Sequence, residues 1–296
     1  MLAIGSKSTL ASVNMSTESS ALSPKFDWGL TESYYLSVQL CLDGLSFSIQ
    51  DPVTNTYLLL TSVNFSVPDP NFAKHEEYML THKPFGYKYR KVIVSIDSPA
   101  FTLMPTSLFD EKRANEVLAL LGINIHSDDR IIHNHIELAS ATCVFAIPNF
   151  LYYFLRTQFP GVVILHRTTP LVSSLLLKRS DDKKDEIVNL VFTDDSMIMV
   201  AAKRNELRLC NKYYCKSVAD YVYITLFALS QIGFEHHQTS IVYSGDVAEN
   251  NPICKELSRF VGNVTPAQSP SFFNYEFTLP HNIHKHHTLF LIPLCV

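Results

Sequence analysis

One pattern runs through this chain twice and constrains its fold more than any other feature. It is a three-stranded antiparallel meander followed by helix, strand and helix. In the first half, Tyr35 to Leu42 is an extended apolar run and Asp43-Gly44 is a two-residue hairpin turn. Leu45 to Ile49 alternates strictly, the run from Asp51 to Asn55 turns the chain again, and Thr56 to Val63 is a third strand. A short helix is expected around 71–82, then a strand over 91–97 and a helix over 110–121 that Gly122 stops. Extended runs follow at 130–138 and 141–147, then an aromatic helix ending near Phe159, a short buried strand over 162–165 and a helix from Thr169-Pro170 to about 178. The second half repeats the scheme with strands over 187–192, 197–202 and 207–210, turned at Asp194-Asp195 and at Lys203-Arg204-Asn205. Ser217 caps a long helix to Ile232, with Gly233 just past its end. The strand over 240–244 closes on Gly245-Asp246, and Asn251-Pro252 opens a helix over 253–260.

The two halves share a pattern and no obvious residue identity. Six consecutive charges from Asp181 to Glu186 lie between them and read as a solvated linker. This places a first lobe over 31–180 and a second over 185–296. The stretch over 1–30 is rich in Ser, Thr and Ala up to Pro24, lacks a basic n-region and a long apolar run, and is expected to be a flexible tail. Met15 offers a second start, which would make residues 1–14 an addition to the native chain. No run of 18 apolar residues exists; the nearest approach, Val218 to Phe234, is broken by Asp220, Ser230 and Gln231 and reads as a buried amphipathic helix. The six cysteines are scattered, mostly in apolar runs, with no C-x-x-C, as expected of buried thiols in a reducing compartment. The expected location is the cytoplasm.

Lys and Arg number 24 against 28 Asp and Glu, a net charge of -4, which argues against gripping a nucleic-acid backbone. Only nine of 296 residues are glycine, where average usage of about 7% gives roughly twice as many, so a Gly-rich phosphate loop is not expected. Catalytic motifs are absent: His75-Glu76-Glu77-Tyr78-Met79 lacks the second histidine of a zincin, and there is no G-x-S-x-G, P-loop or dinucleotide fingerprint. A Ser-His-Asp site assembled in space stays open. The run from His281 to His287 has four histidines but no nearby cysteine, and Lys285 would repel a cation, so it reads as a solvated turn. His133 and His135 alternate on one strand face and read as polar surface; His236-His237 falls where it can meet the carbonyl end of the long helix. The aromatic clusters at 150–155 and 221–227 read as core, and any part left exposed would be a protein-binding patch.

Two meander-plus-helix lobes joined near the middle resemble the actin-like ATPase superfamily, with its actins, Hsp70-type chaperones, sugar kinases and pilus-assembly ATPases. The run Leu36 to Ser48, Phe101-Thr102-Leu103-Met104-Pro105 before Leu108-Phe109-Asp110, and Ile241 to Asp246 are similar to a Bacteroidetes family within it, domain of unknown function 3822. The fold class this resemblance implies is α/β: two actin-like (ribonuclease H-like) lobes, each a mixed sheet with a three-stranded antiparallel meander plus helices, around a central cleft. The superfamily places an Asp-x-Gly phosphate loop at the first turn of each lobe. Here Asp43-Gly44 lacks the intervening residue, and the expected Asp falls near Gln39 or Cys41, neither of which can replace it. The second loop, between Asn189 and Ser196, holds Asp194 and Asp195 but no glycine. Only the adenosine-side turn has a match, at Ser244-Gly245-Asp246. The resemblance therefore implies an actin-like protein with degraded phosphate loops and no bound cofactor, acting as a non-catalytic binding or assembly component through a protein partner or self-association. The alternative is a divergent ATPase or ATP-dependent phosphotransferase using the interlobe cleft. In it Asp43, Asp194 and Asp195 hold Mg²⁺, Gly44 approaches phosphate and Gly245 faces the adenosine.

Overall fold

Strand alternation and tight turns build the first sheet. The computed structural model describes residues 15–123, 125–177, 185–193, 195–248, 251–278, 280 and 282–296. Strand β1 (Met15–Leu22) is followed by a 3-10 turn (Trp28–Ser33), and then by the meander β2 (Tyr35–Cys41), β3 (Gly44–Asp51) and β4 (Thr56–Phe65). After helix α1 (Ala73–Thr81), strand β5 (Lys91–Ile96) lies parallel to β2. Strand β6 (Phe101–Pro105), helix α2 (Ala114–Leu120), strand β7 (Asp129–Ile136) and strand β8 (Ala141–Pro148) follow. Helix α3 (Asn149–Gln158), strand β9 (Val163–His166) and helix α4 (Thr168–Leu177) complete the first half. The second half contains β10 (Glu186–Phe192), β11 (Ser196–Lys203), β12 (Glu206–Tyr214), α5 (Val218–Gln231), β13 (Ser240–Gly245), α6 (Pro252–Leu257) and β14 (Asn263–Pro266). The chain then closes with β15 (Asn274–Tyr275) and α7 (His287–Leu291).

The repeat seen in the sequence is a repeat of topology. The first sheet runs β4-β3-β2-β5-β9 and the second β12-β11-β10-β13-β14, each an antiparallel meander continued by two parallel strands. The β11–β12 hairpin turns through Arg204 and Asn205, both left-handed (φ 52° and 64°), the geometry that matches strand twist. Helix α5 opens on a reciprocal cap, with Asp220 N–H donating to Ser217 Oγ and Ser217 N–H to Asp220 Oδ2. Helix α4 is buried on nearly every face because it lies between the lobes. Val191, Ile198, Val200 and Ala202 of the second sheet share a core with Leu171, Val172 and Leu175 of that helix.

Four expectations change. From Met15 on, the stretch expected to be a flexible tail is instead edge strand β1, paired with β4, because β4 presents an unpaired edge that a backbone can complete. Between β5 and β9 the first lobe carries a separate three-stranded sheet, β6-β8-β7, with its own small core around Leu118 and Val144. The boundary giving all of 185–296 to the second lobe is also corrected. Strand β15 pairs with β4, and Phe273, Leu289, Phe290 and Ile292 bury themselves against Tyr57, Leu60, Ile93 and Leu165. Of the expected charged linker, 181–184 lie outside the described residues, and Glu186 is no solvated linker residue. It is buried, binds Lys203 Nζ at 2.7 Å and accepts from Glu235 N–H and Thr239 Oγ1.

Candidate functional site

The β2–β3 turn, the start of the β10–β11 turn and the end of β13 meet in a cleft between the lobes. Its walls include Asp43 and Gly44 from the first turn, Thr193 from the second, and Gly245 and Asp246 from the third element. Gln39 and Cys41, the positions where the sequence pattern would have put an aspartate, line the same cleft. Asp195 does not join them; it is exposed, and its backbone carbonyl accepts from Cys215 N–H. Asp194 lies outside the described residues.

Both glycines answer to packing within the protein. A Cβ on Gly44 would stand 2.1 Å from the Val63 carbonyl oxygen, and one on Gly245 would stand 2.1 Å from that of Phe192. Gly245 also has φ +95°, which few other residues adopt. Each glycine lets one strand end press against another backbone. Behind the first turn, the fully buried His75 donates from Nε2 to the carbonyls of Cys41 (2.8 Å) and Gly44 (3.1 Å), pinning the hairpin. The second turn has no glycine and is tied instead by Thr193, whose N–H donates to the Ser196 carbonyl at 2.8 Å and whose Oγ1 lies 2.6 Å from Ser196 Oγ.

A network of charges missed in the sequence joins the lobes beside the cleft, and its Arg167 lines the cleft. Asp97, just past β5, binds Arg167 Nη1 at 3.0 Å through Oδ2 and Lys212 Nζ at 3.2 Å through Oδ1. All three side chains are nearly fully buried. Burial would raise the Asp97 carboxyl, but Lys212 and Arg167 outweigh it and hold it at about 2. Asp97 and Arg167 belong to the first lobe and Lys212 to the second, so this carboxylate joins the lobes. Next to it, His166 is held neutral by burial, its pKa pushed down to about 4; Nε2 donates to the Ser98 carbonyl and Nδ1 accepts from Thr168 N–H. Burial pushes the Cys41 thiol up to about 11, which rules out a ready thiolate nucleophile.

The cleft's mouth is bridged from the C-terminal segment. Lys285 Nζ reaches Asp246 Oδ1 at 3.0 Å, and His284 Nε2 contacts the Val247 carbonyl at 2.6 Å. The histidine run is therefore no solvated turn: His284, His286 and His287 are buried, and burial pushes the His286 pKa down to about 4. His281 lies outside the described residues. Among the described residues, no three His, Cys, Asp or Glu side chains come together as a metal site. The remaining space in the cleft is about 50 Å³, enough for a few waters. No helix among the described residues is long and apolar enough to cross a membrane.

The sequence model of a family described as protein of unknown function (DUF3822) matches residues 23–264. Among solved structures, the fold matches a protein from Bacteroides thetaiotaomicron VPI-5482 described as having an actin-like ATPase fold and unknown function. That match has a TM-score of 0.74 and 22% identity, over 89% of this chain and 98% of the other. A PilM-PilN type IV pilus biogenesis complex matches with a TM-score of 0.52 and 12% identity, over 88% of this chain and 96% of that one. At these identities the two structures establish the fold. A search of curated proteins finds no match.

Proposed function

We propose that this chain, which belongs to the DUF3822 family and has the actin-like ATPase fold, is a non-catalytic binding or assembly component. The observation that carries this reading is the Asp97–Arg167–Lys212 network. It ties the two lobes together beside the cleft, and its Arg167 lines the cleft wall already paired with Asp97. The remaining 50 Å³ is far below the roughly 300–1,000 Å³ of small-molecule sites. Asp246, which would face a nucleotide, is already paired with Lys285. Exposed aromatic rings support the binding role: Tyr223 and Phe227, one turn apart on α5, stack at 5.9 Å and face solvent. One fold neighbour is a type IV pilus biogenesis complex, and the reading extends an assembly role of that kind to this chain.

Titration calorimetry of Mg²⁺-ATP into the full chain, with ADP as control, tests the proposal. No heat at millimolar nucleotide is expected. Micromolar binding with turnover would overturn it in favour of a divergent ATPase or phosphotransferase.

A further inference from the structure

A ligand-sized cavity lies away from the interlobe cleft, and we propose that it binds an uncharged, largely apolar small molecule. It measures about 630 Å³, within the usual range for such sites. Its walls come from three parts of the molecule. Leu177 ends α4 of the first lobe, Val242 and Pro266 belong to β13 and β14 of the second, and Leu291 and Leu294 come from the C-terminal segment.

The chemistry of the walls selects the ligand. Among the described residues, no Asp, Glu, Lys or Arg lines the cavity. Its polar side chains are hydroxyls (Ser174, Thr265, Ser269 and Ser271), the Gln268 amide and the His287 imidazole. Among the described residues, a nucleotide, a phosphorylated metabolite or a carboxylate would surrender its hydration there with no Lys or Arg to replace it. A neutral molecule with an apolar body and one or two hydrogen-bonding groups loses nothing of that kind. The wall formed by 266–273 is fixed in advance. Ala267 N–H donates to the Tyr243 carbonyl at 2.7 Å, Phe273 N–H to that of Pro270 at 3.2 Å, and Tyr275 Oη to that of Pro270 at 3.2 Å. The rim carries two large apolar side chains in solvent, Leu177 (47% exposed) and Phe272 (56%). A ligand seated there would touch both lobes and the C-terminal segment together.

Fluorescence titration of the full chain with Nile red, a neutral dye, tests this, with the anionic dye 8-anilinonaphthalene-1-sulfonate in parallel. Saturable one-to-one binding of Nile red is expected, at least tenfold tighter than that of the anionic dye. Leu177→Glu and Phe272→Glu alter exposed rim positions, so melting should be unchanged while Nile red affinity falls at least tenfold in each. Absence of saturable Nile red binding, equal binding by both variants, or equal affinity for the anionic dye would overturn the proposal. Sedimentation of the same samples gives one further outcome. A wild-type dimer that either variant dissociates would make this wall a protein interface and would also overturn it. Neither result bears on nucleotide binding, which the calorimetry reads separately.

Discussion

Replacing Asp97 by asparagine keeps the shape of the side chain and removes the charge that two buried cations share. The size of the effect follows from the site. Asp97 is held at about 2 in the folded protein against an ordinary value of 3.8. At about 1.36 kcal/mol per pKa unit, its ionisation contributes about 2–3 kcal/mol to stability at neutral pH. The substitution also strands Arg167 and Lys212 without a counter-charge, and breaking a buried pair in this way costs about 3–5 kcal/mol. Asp97→Asn should therefore lower the melting temperature at pH 7 by on the order of 10 °C. The pH dependence has a definite sign. The folded carboxyl titrates below the unfolded one, so the contribution is present above the unfolded value near 3.8 and is lost as pH falls toward 2. Urea unfolding of wild type and variant, followed from pH 7 down to pH 2, reads both quantities. The gap between the two proteins should narrow below pH 3.8. A variant within 0.5 kcal/mol (about a third of a pKa unit) of wild type at pH 7, or a gap that does not change with pH, would refute the view that this carboxylate holds the lobes together.

Two further outcomes follow from the same region. Gly44→Ala and Gly245→Ala each force a methyl onto a carbonyl oxygen 2.1 Å away, and each should lose about 1–3 kcal/mol or more in urea unfolding; a neutral effect at both would show that the turns relax freely. Burial pushes His166 down to about 4 against 6.5 unfolded, so the unfolded chain binds the extra proton and stability should decline by about 3 kcal/mol as pH falls from 6.5 to 4. Wild type should show that slope and His166→Gln a flatter one, and parallel slopes would remove His166 as its source.

Much of this architecture is legible in the sequence because its signals are local. The alternation of Leu45 to Ile49 and the Ser217 cap each report on a few neighbouring residues and stand where the pattern put them, while the hairpin turn expected at Asp43-Gly44 lies one residue earlier, at Leu42-Asp43, with Gly44 paired to Cys41 at the start of β3. The separate sheet of β6, β7 and β8 was harder to see. Two of its strands, β7 and β8, were visible as extended runs at 130–138 and 141–147, but β6 (Phe101–Pro105) was not among them, and nothing local says that the three leave the main sheet. The C-terminal return was hidden for a similar reason. Pro266, Pro270, Pro280 and Pro293 interrupt any period, and the partners of Phe273 and Phe290 lie more than two hundred residues away at Tyr57.

The cleft shows most sharply where sequence reasoning stops. Asp97, Arg167, Lys212 and Lys285 come from four distant points of the chain, and each reads alone as an ordinary charged residue. The one available signal was the charge at the end of an apolar strand: Asp97 follows Val92 to Ile96, and Arg167 follows Val163 to His166. Two charges that end neighbouring parallel strands of one sheet lie at the same edge, and their opposite signs suggest a pair. The glycines carry the complementary lesson. A sequence shows that a turn needs room at Gly44 and Gly245, but not what occupies that room. Here it is the carbonyl oxygens of Val63 and Phe192. At both positions the neighbouring strand's carbonyl already accounts for the glycine, so the glycine by itself is no argument for phosphate.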